Sequence, residues 1–370
     1  MKIQNVGVPR RKLLQAAAVA GGLPMFGTAC TSMPATNVSA TGAPPLKVAV
    51  IDDYMRVVAQ IADWKVLSSK ASVDFFHDHL ADDDALAKRL APYDIIVLER
   101  YRTPFSANLI SKLPKLKLLV STTGASAHIA VAQAQKQNIT ICTTGTGPDE
   151  GNVEEVAFGL LMDLCRQISW HNADTHAGKW QVRPTHCLRG KTLGLIGLGQ
   201  VGSMMVQFAK PFGMNTVAWS TNLKDDGAKA AGTTRVELND LMAQSDFVSV
   251  HYALSERSRN LIRGEHLALM KPTAYFINTS RGAIIDEAAL ISALQQKKIA
   301  GAALDVVNQE PINLDNPLLK MDNVLLTPHI GYPTVERLTI EYGQALEDIV
   351  AYLAGKPIRV LKPNGGREET

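Results

Sequence analysis

Four cysteines in 370 residues, Cys30, Cys142, Cys165 and Cys187, stand far apart with no CxxC pair and no zinc-ligand spacing. That gives no zinc-ribbon pattern, and it fits buried thiols better than a disulfide framework. An excess of one charge is also missing, because 38 Lys+Arg against 35 Asp+Glu leave a net charge of +3. Aromatic residues make up only 6% and do not interleave with a basic stripe, so nucleic acid is not an expected partner. No apolar run reaches the roughly 20 residues that a membrane-spanning helix needs, so no stable span is expected. The "HDH" at 77–79 has no companion ligand cluster, so it reads as structural and no metal site is expected. "DDD" at 82–84 reads as a solvated helix start. With 46% hydrophobic and 20% charged residues, the chain has the balance of a globular protein and the length for one large or two ordinary domains.

The first 45 residues are set apart from the fold. "VPRRKLLQAAAVAGGLPMF" pairs Arg10 with Arg11 ahead of a weakly apolar, Ala/Gly-rich stretch, the pattern of a twin-arginine export signal. Small residues at Ala35, Ala40 and Ala43 offer cleavage sites, and "GTAC" ending at Cys30 has a faint lipoprotein-box character. The segment from Met33 to Pro45 has the Pro/Thr/Ser/Ala/Gly composition of a flexible tether. Export to the periplasm is the expectation. The alternative is a mis-assigned start, with Met33 as the beginning of a cytoplasmic protein.

From Leu46 short apolar runs alternate with polar helical stretches. "LKVAVID", "VDFFH", "YDIIVLE", "LKLLVSTT" and "ITICTT" come first. Then "GTGPDEGN" breaks the rhythm, and one long helix follows with Val153, Val156, Leu160, Leu161, Leu164 and Ile168 at helical spacing. A second series runs "TLGLIG", "NTVAWS", "DFVSVH", "AYFINTS", "GAALDVV" and "NVLLTPHI". A last helix over 333–353 turns Leu338, Ala345, Leu346, Ile349 and Leu353 toward a core and stops at Gly355. Continuous apolar strands separated by helices mean parallel sheets covered on both faces, here two doubly wound α/β units with the ligand cleft between them.

In "LGLIGLGQVGSMMVQFAK" the glycines Gly197, Gly199 and Gly202 form GxGxxG between a strand and a helix. This is the context in which the motif binds a dinucleotide. Gly197 allows the tight turn, Gly199 admits the pyrophosphate, and Gly202 lets the helix pack on the strand, with Gln200 and Val201 in the same turn. The acid that would grip the ribose hydroxyls of NAD is absent. Eighteen residues past Gly202 stand Ser220, Thr221 and Asn222, and Asp225 and Asp226 come only later. Without that acid no charge repels a 2′-phosphate, and the side chains of Ser220, Thr221 and Asn222 are able to donate to it. No arginine is evident for that phosphate. NAD and NADP both stay open, with NADP ahead.

Three further stretches, "NTSRGAIID", "ALDVVNQEP" and "TPHIG", follow the glycine motif in order. With them the chain, from about Leu46 to Leu361, resembles the D-isomer-specific 2-hydroxyacid dehydrogenase family. The resemblance rests on GxGxxG, Arg281, Glu310 and His329. It implies a flavodoxin-like substrate domain (46–149 plus 335–362), a Rossmann-type NAD(P)-binding domain (150–334) and a homodimer. It also places Asp305 near the nicotinamide carboxamide, Thr279 and His251 beside the cofactor, and the "TTGAS" loop, with Gly124 and Ala125, at the substrate carboxylate. Gln200 stands where Arg or Asn is common in the family. Glu310 separates the chain from the formate dehydrogenase branch, and from the short stretch after His329 no appended regulatory domain is expected.

The chemistry asks for the same residue types. Reducing a 2-oxo acid needs a hydride at C2, a proton for the carbonyl oxygen and a cation for the carboxylate. Arg281 has the planar fork for the carboxylate. His329, with a reference pKa of about 6.5, suits proton transfer. Glu310 beside it would favour the imidazolium and fix the ring. The expected activity is hydride transfer between NAD(P) and a small 2-oxo/2-hydroxy acid, of the glyoxylate or hydroxypyruvate reductase kind. A non-catalytic NAD(H)-sensing protein on the same fold is the alternative.

Overall fold

The computed structural model describes residues 45–124, 127–145 and 152–362. The export signal, its tether and Cys30 lie outside the described residues, as does Ala125. Five strands come first: β1 (Leu46–Val50), β2 (Ala71–Phe75), β3 (Ile95–Leu98), β4 (Leu118–Ser121) and β5 (Thr140–Thr143). They pair in the order β2-β1-β3-β4-β5, all parallel, which is the flavodoxin-like winding. Seven more follow: β6 (Thr192–Ile196), β7 (Asn215–Trp219), β8 (Thr234–Arg235), β9 (Phe247–Val250), β10 (Tyr275–Asn278), β11 (Gly301–Leu304) and β12 (Val324–Leu326). Their order, β12-β11-β10-β9-β6-β7-β8, is also all parallel. Counted from β6, this is the Rossmann order with one further strand.

The apolar runs become strands because both sheet faces are covered. Every residue of β3, β4, β9 and β11 is buried. Alternate residues feed opposite cores: Ile96 and Leu98 pack with Leu109 and Ile110 on one face, while Ile95 and Val97 meet Leu338, Tyr342, Ala345 and Ile349 on the other. Those last four belong to the C-terminal helix, Val335–Leu353, which therefore returns to the first sheet although it follows the second in the chain. Thr334 caps it by accepting from the Arg337 N–H at 3.2 Å. The Thr334 hydroxyl also accepts from Asn152 Nδ2 at 2.9 Å, so the two segments that pass between the sheets are tied to each other.

Two elements depart from the sequence reading. The helix begun at Val153 ends at Arg166, and a second one runs Ile168–His176. Gln167 between them is left-handed, with φ of 50°. The Asp163 side chain restarts the chain by accepting from the Ser169 N–H at 2.9 Å. This local bond competes with the helix ladder, and it leaves Ile168 56% exposed instead of on the apolar face. The other departure is β8, only two residues long and therefore without a readable pattern. Asp82, in contrast, is the expected helix start: its side chain accepts from the Ala85 N–H at 2.8 Å and caps Asp83–Leu90. Among the described residues no helix is long and apolar enough to cross a membrane. Cys142 and Cys165 are buried free thiols, and Cys187 is an exposed one.

After the last helix the chain bridges β5, with Leu361 N–H donating to the Ile141 carbonyl at 2.9 Å. Arg359 fastens this return: its Nε donates to the buried Asp348 at 2.9 Å and its Nη2 to the Gln344 carbonyl at 2.8 Å. Breaking an ion pair around a buried carboxylate leaves a charge without full compensation. Arg359→Ala should therefore lower unfolding stability by about 2 kcal/mol, read as a lower urea midpoint; an unchanged midpoint would deny the fastening role.

Candidate active site

The strand ends of both sheets carry the polar residues. At β6 the chain turns through Gly197 with φ of 100°. A Cβ there would lie 2.3 Å from the His251 carbonyl oxygen at the end of β9, and one on Gly202 would lie 2.2 Å from the Gly197 oxygen. Both positions admit only glycine. Around Gly199 there is open space within 4 Å, and the helix Gln200–Ala209 starts immediately after it, with Gln200 exposed and Val201 half-buried. First-turn amides and the helix dipole make this a cradle for a pyrophosphate. Two buried side-chain atoms nearby in the fold, Thr279 Oγ1 at the end of β10 and His251 Nδ1 at the end of β9, have no hydrogen-bond partner. His251 Nε2 meets Ser249 Oγ at 2.9 Å. Burial holds the His251 imidazole down at about 4, so it is neutral at physiological pH. A cradle that a Cβ would fill, beside orphaned polar atoms, fits a dinucleotide.

Beyond β7, Ser220 is half-buried and Thr221 exposed. Thr221 Oγ1 lies 2.7 Å from the Tyr252 hydroxyl, and Tyr252 stacks on Trp219 at 6.0 Å. Arg235 comes to this loop from β8: its Nε donates to the Leu223 carbonyl at 3.0 Å, and its Nη2 to Glu237 at 2.5 Å. An arginine is thus present where none was evident from the chain. The pairing of β8 with β7 delivers it.

His329 sits just past β12 in a left-handed conformation, φ 56°, a strained state for a side chain with a Cβ. Asp305, at the end of β11 and 2% exposed, pins that turn. Its carboxylate accepts from Thr327 Oγ1 at 2.6 Å, Ile330 N–H at 2.8 Å and Gly331 N–H at 3.0 Å, and its carbonyl accepts from His329 N–H at 2.9 Å. Burial raises the Asp305 carboxyl, and these hydrogen bonds with the His329 charge pull it back only in part. The turn presents His329 Nδ1 to Glu310 Oε2 at 2.6 Å. Glu310 is steadied by the Val307 N–H on its other oxygen, at 3.1 Å. The imidazole Nε2 is left for chemistry.

Arg281 follows β10, its Nη1 donating to the Ser280 carbonyl at 2.6 Å. Gly282 next to it allows a close approach, since a Cβ would sit 2.1 Å from the Val307 carbonyl carbon. The guanidinium of Arg281 lies 4.8 Å over the ring of Tyr101, a residue at the end of β3 in the other sheet. Gly124, past β4, is exposed. Arg281, Glu310 and His329 are therefore gathered at neighbouring strand ends, His329 directly on Glu310 and Arg281 on a first-sheet tyrosine.

Sequence reasoning missed the first-sheet partners. Glu99, Arg100, Tyr101 and Arg102 directly follow "DIIVL", and their place at the end of an apolar strand was the available signal. Glu99 is 2% exposed and accepts from the hydroxyls of Tyr332, at 2.7 Å, and Tyr342. The two histidines of "HDH" face buried carboxylates, His77 with Asp53 at 3.4 Å and His79 with Asp52 at 3.0 Å. Among the described residues no group of three or more His, Cys, Asp or Glu is placed to hold a metal ion.

Two parallel sheets whose strand ends bring a dinucleotide cradle to a His–Glu pair and an arginine define a two-domain nicotinamide-dependent oxidoreductase. The chain belongs to the D-isomer-specific 2-hydroxyacid dehydrogenase family. The model of that family's NAD binding domain matches residues 158–331. A hydroxypyruvate reductase of Blautia hydrogenotrophica is 30% identical over 329 residues, covering 85% of this chain and 99% of its own. A glyoxylate reductase of Korarchaeum cryptofilum is 36% identical over 259 residues, 68% of this chain and 78% of its own. The crystal structure of a putative D-3-phosphoglycerate dehydrogenase from Ralstonia solanacearum superimposes with a TM-score of 0.79 at 32% identity, covering 86% of this chain and 98% of that one. The protein is an oxidoreductase of 2-hydroxy acids acting on the CH–OH group.

His128 shares the condition of His251: burial, then the Arg100 charge, lowers it to about 4. Both imidazoles bind protons more tightly when the chain is unfolded, at about 6.5. Stability from these groups is complete above pH 6.5 and is lost as pH falls from there toward 4. His128→Asn should flatten the stability-versus-pH slope over that window, measured by urea unfolding; an unaltered slope would contradict the assignment.

Proposed function

We propose that the enzyme interconverts a small 2-oxo acid and its 2-hydroxy acid, of the glyoxylate or hydroxypyruvate kind. The observation that carries this is the 2.6 Å contact of His329 Nδ1 with Glu310. With Nδ1 occupied, His329 Nε2 is the atom that gives a proton to the carbonyl oxygen in reduction and takes it back in oxidation. Glu310 orients the ring through that contact. Arg281 receives the substrate carboxylate in its fork and polarises the adjacent carbonyl, with backbone amides of the loop at Gly124 and Ala125 as helpers. Residues 46–149 plus 335–362 serve as substrate domain and 150–334 as cofactor domain. When bound, the nicotinamide supplies the hydride for C2 of the substrate. Gly197, Gly199, Gln200, Val201 and Gly202 would hold the pyrophosphate, Thr279 and His251 would offer their unpartnered polar atoms, and Asp305, which holds the His329 turn, would stand near the carboxamide.

NADP is the favoured form, because Ser220 and Thr221 replace an acid and Arg235 lies against their loop. A related solved structure, an acyclic imino acid reductase with NADPH and D-Arg, is 28% identical with a TM-score of 0.64, covering 86% of this chain and all of that one. Steady-state kinetics with glyoxylate, hydroxypyruvate and pyruvate, each with NADH and NADPH, should show turnover with a higher kcat/KM for NADPH. Arg281→Ala should lose about a thousand-fold in kcat/KM while cofactor affinity survives, and His329→Ala about a hundred-fold or more in kcat. Wild-type turnover by either variant would sink the role assigned to that side chain.

The paired Arg10 and Arg11 support export of the folded, cofactor-loaded protein to the periplasm. Trp180 and Val182, both exposed and lining one surface hollow, support a homodimer through that face. Cell fractionation followed by sedimentation of the mature protein checks both: a periplasmic dimer is expected, and a cytoplasmic monomer would overturn them.

A further inference from the structure

Arg281 and His329 rise from the ends of strands in the larger sheet, yet each rests on a tyrosine held by the smaller one. Arg281 lies over the Tyr101 ring at 4.8 Å. His329 meets the ring of Tyr332 edge-on, with centroids 5.7 Å apart and planes at 90°. Between the two tyrosines stands one cation, Arg100, its guanidinium carbon 5.0 Å from the Tyr101 ring and 4.5 Å from the Tyr332 ring. Arg281, Tyr101, Arg100, Tyr332 and His329 thus form one continuous stack of cations and rings across the strand ends.

Each inner member of the stack is fixed. Arg100 is 8% exposed; it donates to Glu341 at 2.9 Å and to the Tyr101 hydroxyl at 2.7 Å, and its backbone N–H reaches Thr122 Oγ1 at 3.0 Å. Tyr332 is 5% exposed and donates to Glu99 at 2.7 Å. A guanidinium over a ring is held face to face, more strongly as water is removed, while its outer edge keeps donors for a planar anion. An imidazole abutted by a ring edge loses freedom of rotation about its own plane, which matters for a group that must aim one nitrogen.

We propose that Tyr101 and Tyr332 are positioning residues for the two reacting groups, Tyr101 holding the Arg281 fork toward the substrate carboxylate and Tyr332 setting the plane of the His329 ring, with Arg100 fixing their spacing. This rests on Arg281 as the carboxylate-binding fork and His329 as the proton donor. The tyrosines act on different parameters because their clients do. Losing the support of a carboxylate-binding fork weakens substrate capture, and losing the aim of a proton donor slows the chemical step.

The test is a crossed comparison of KM and kcat for the 2-oxo acid at saturating cofactor. Tyr101→Leu should raise KM about ten-fold and leave kcat within about two-fold, while Tyr332→Leu should lower kcat about ten-fold and leave KM within about two-fold. Tyr101→Phe and Tyr332→Phe, which keep the rings, should recover most of each loss. Should Tyr332→Leu fail to fold, Tyr332→Phe against Tyr332→Met carries the same comparison. A merely structural role would lower the active fraction, moving kcat in both cases and KM in neither. That result, or Phe variants as impaired as Leu variants, or Leu variants identical to wild type, overturns the proposal. Arg281→Ala and His329→Ala run in parallel separate the two levels. If they keep turnover, the assigned roles fail; if they lose it without the crossed pattern, only the positioning fails.

Discussion

The site depends on one buried carboxylate. Asp305 gathers Thr327, Ile330 and Gly331 on its two oxygens while its own carbonyl takes the His329 amide. Those bonds hold a histidine in a backbone state that a chain would ordinarily avoid. A carboxylate taken from water is costly unless its lone pairs are filled. Here the filling groups are the backbone of the turn that must be rigid, so the cost of burial and the demand for precision are met by the same contacts. The distance from His329 to Glu310 follows from that clamp, since both flanks of the pair hang from strands β11 and β12.

A second group of buried charges, at the ends of β1 and β3 and on the C-terminal helix beside them, has the same character. Asp52, Asp53, Glu99, Arg100 and Glu341 are nearly fully enclosed. Burial drives the Glu341 carboxyl upward against the pull of Arg100 and Arg337, and it drives the Tyr332 and Tyr342 hydroxyls upward with help from Glu99. Tyr101 goes the other way, because Arg100 and Arg281 outweigh its burial. An apolar filling of the same space would hold the domain together at no greater cost. What such a filling would not do is present oriented cations and rings to the strand ends of the neighbouring sheet.

The fold was legible where the code is local and repeated. Eleven of the twelve strands fall on short apolar-rich stretches such as "DIIVLE" and "DFVSV". The twelfth, Thr234–Arg235, is too short to carry a pattern, and with it Arg235 went unnoticed beside the loop after β7. The helix break at Gln167 was hidden because apolar spacing continues through Ile168 while a single Asp163 side chain restarts the chain. At the site, Gly197, Gly202, Arg281, Glu310 and His329 stand in short motifs whose residue types answer to a chemistry. Arg100, Tyr101 and Tyr332 do not, being ordinary residues until two sheets meet.

The sequence by itself determined the alternation of strands and helices, the glycine turn for a dinucleotide and the kind of side chain that a 2-oxo acid needs, because each is written within a few consecutive residues. Only the tertiary structure decided which face of β3 the last helix covers, that Asp305 holds the His329 turn, and that Arg281 and His329 both lean on Arg100 through a tyrosine. Those contacts join residues far apart in the chain, and their energies exist only once the intervening strands have been stacked in order.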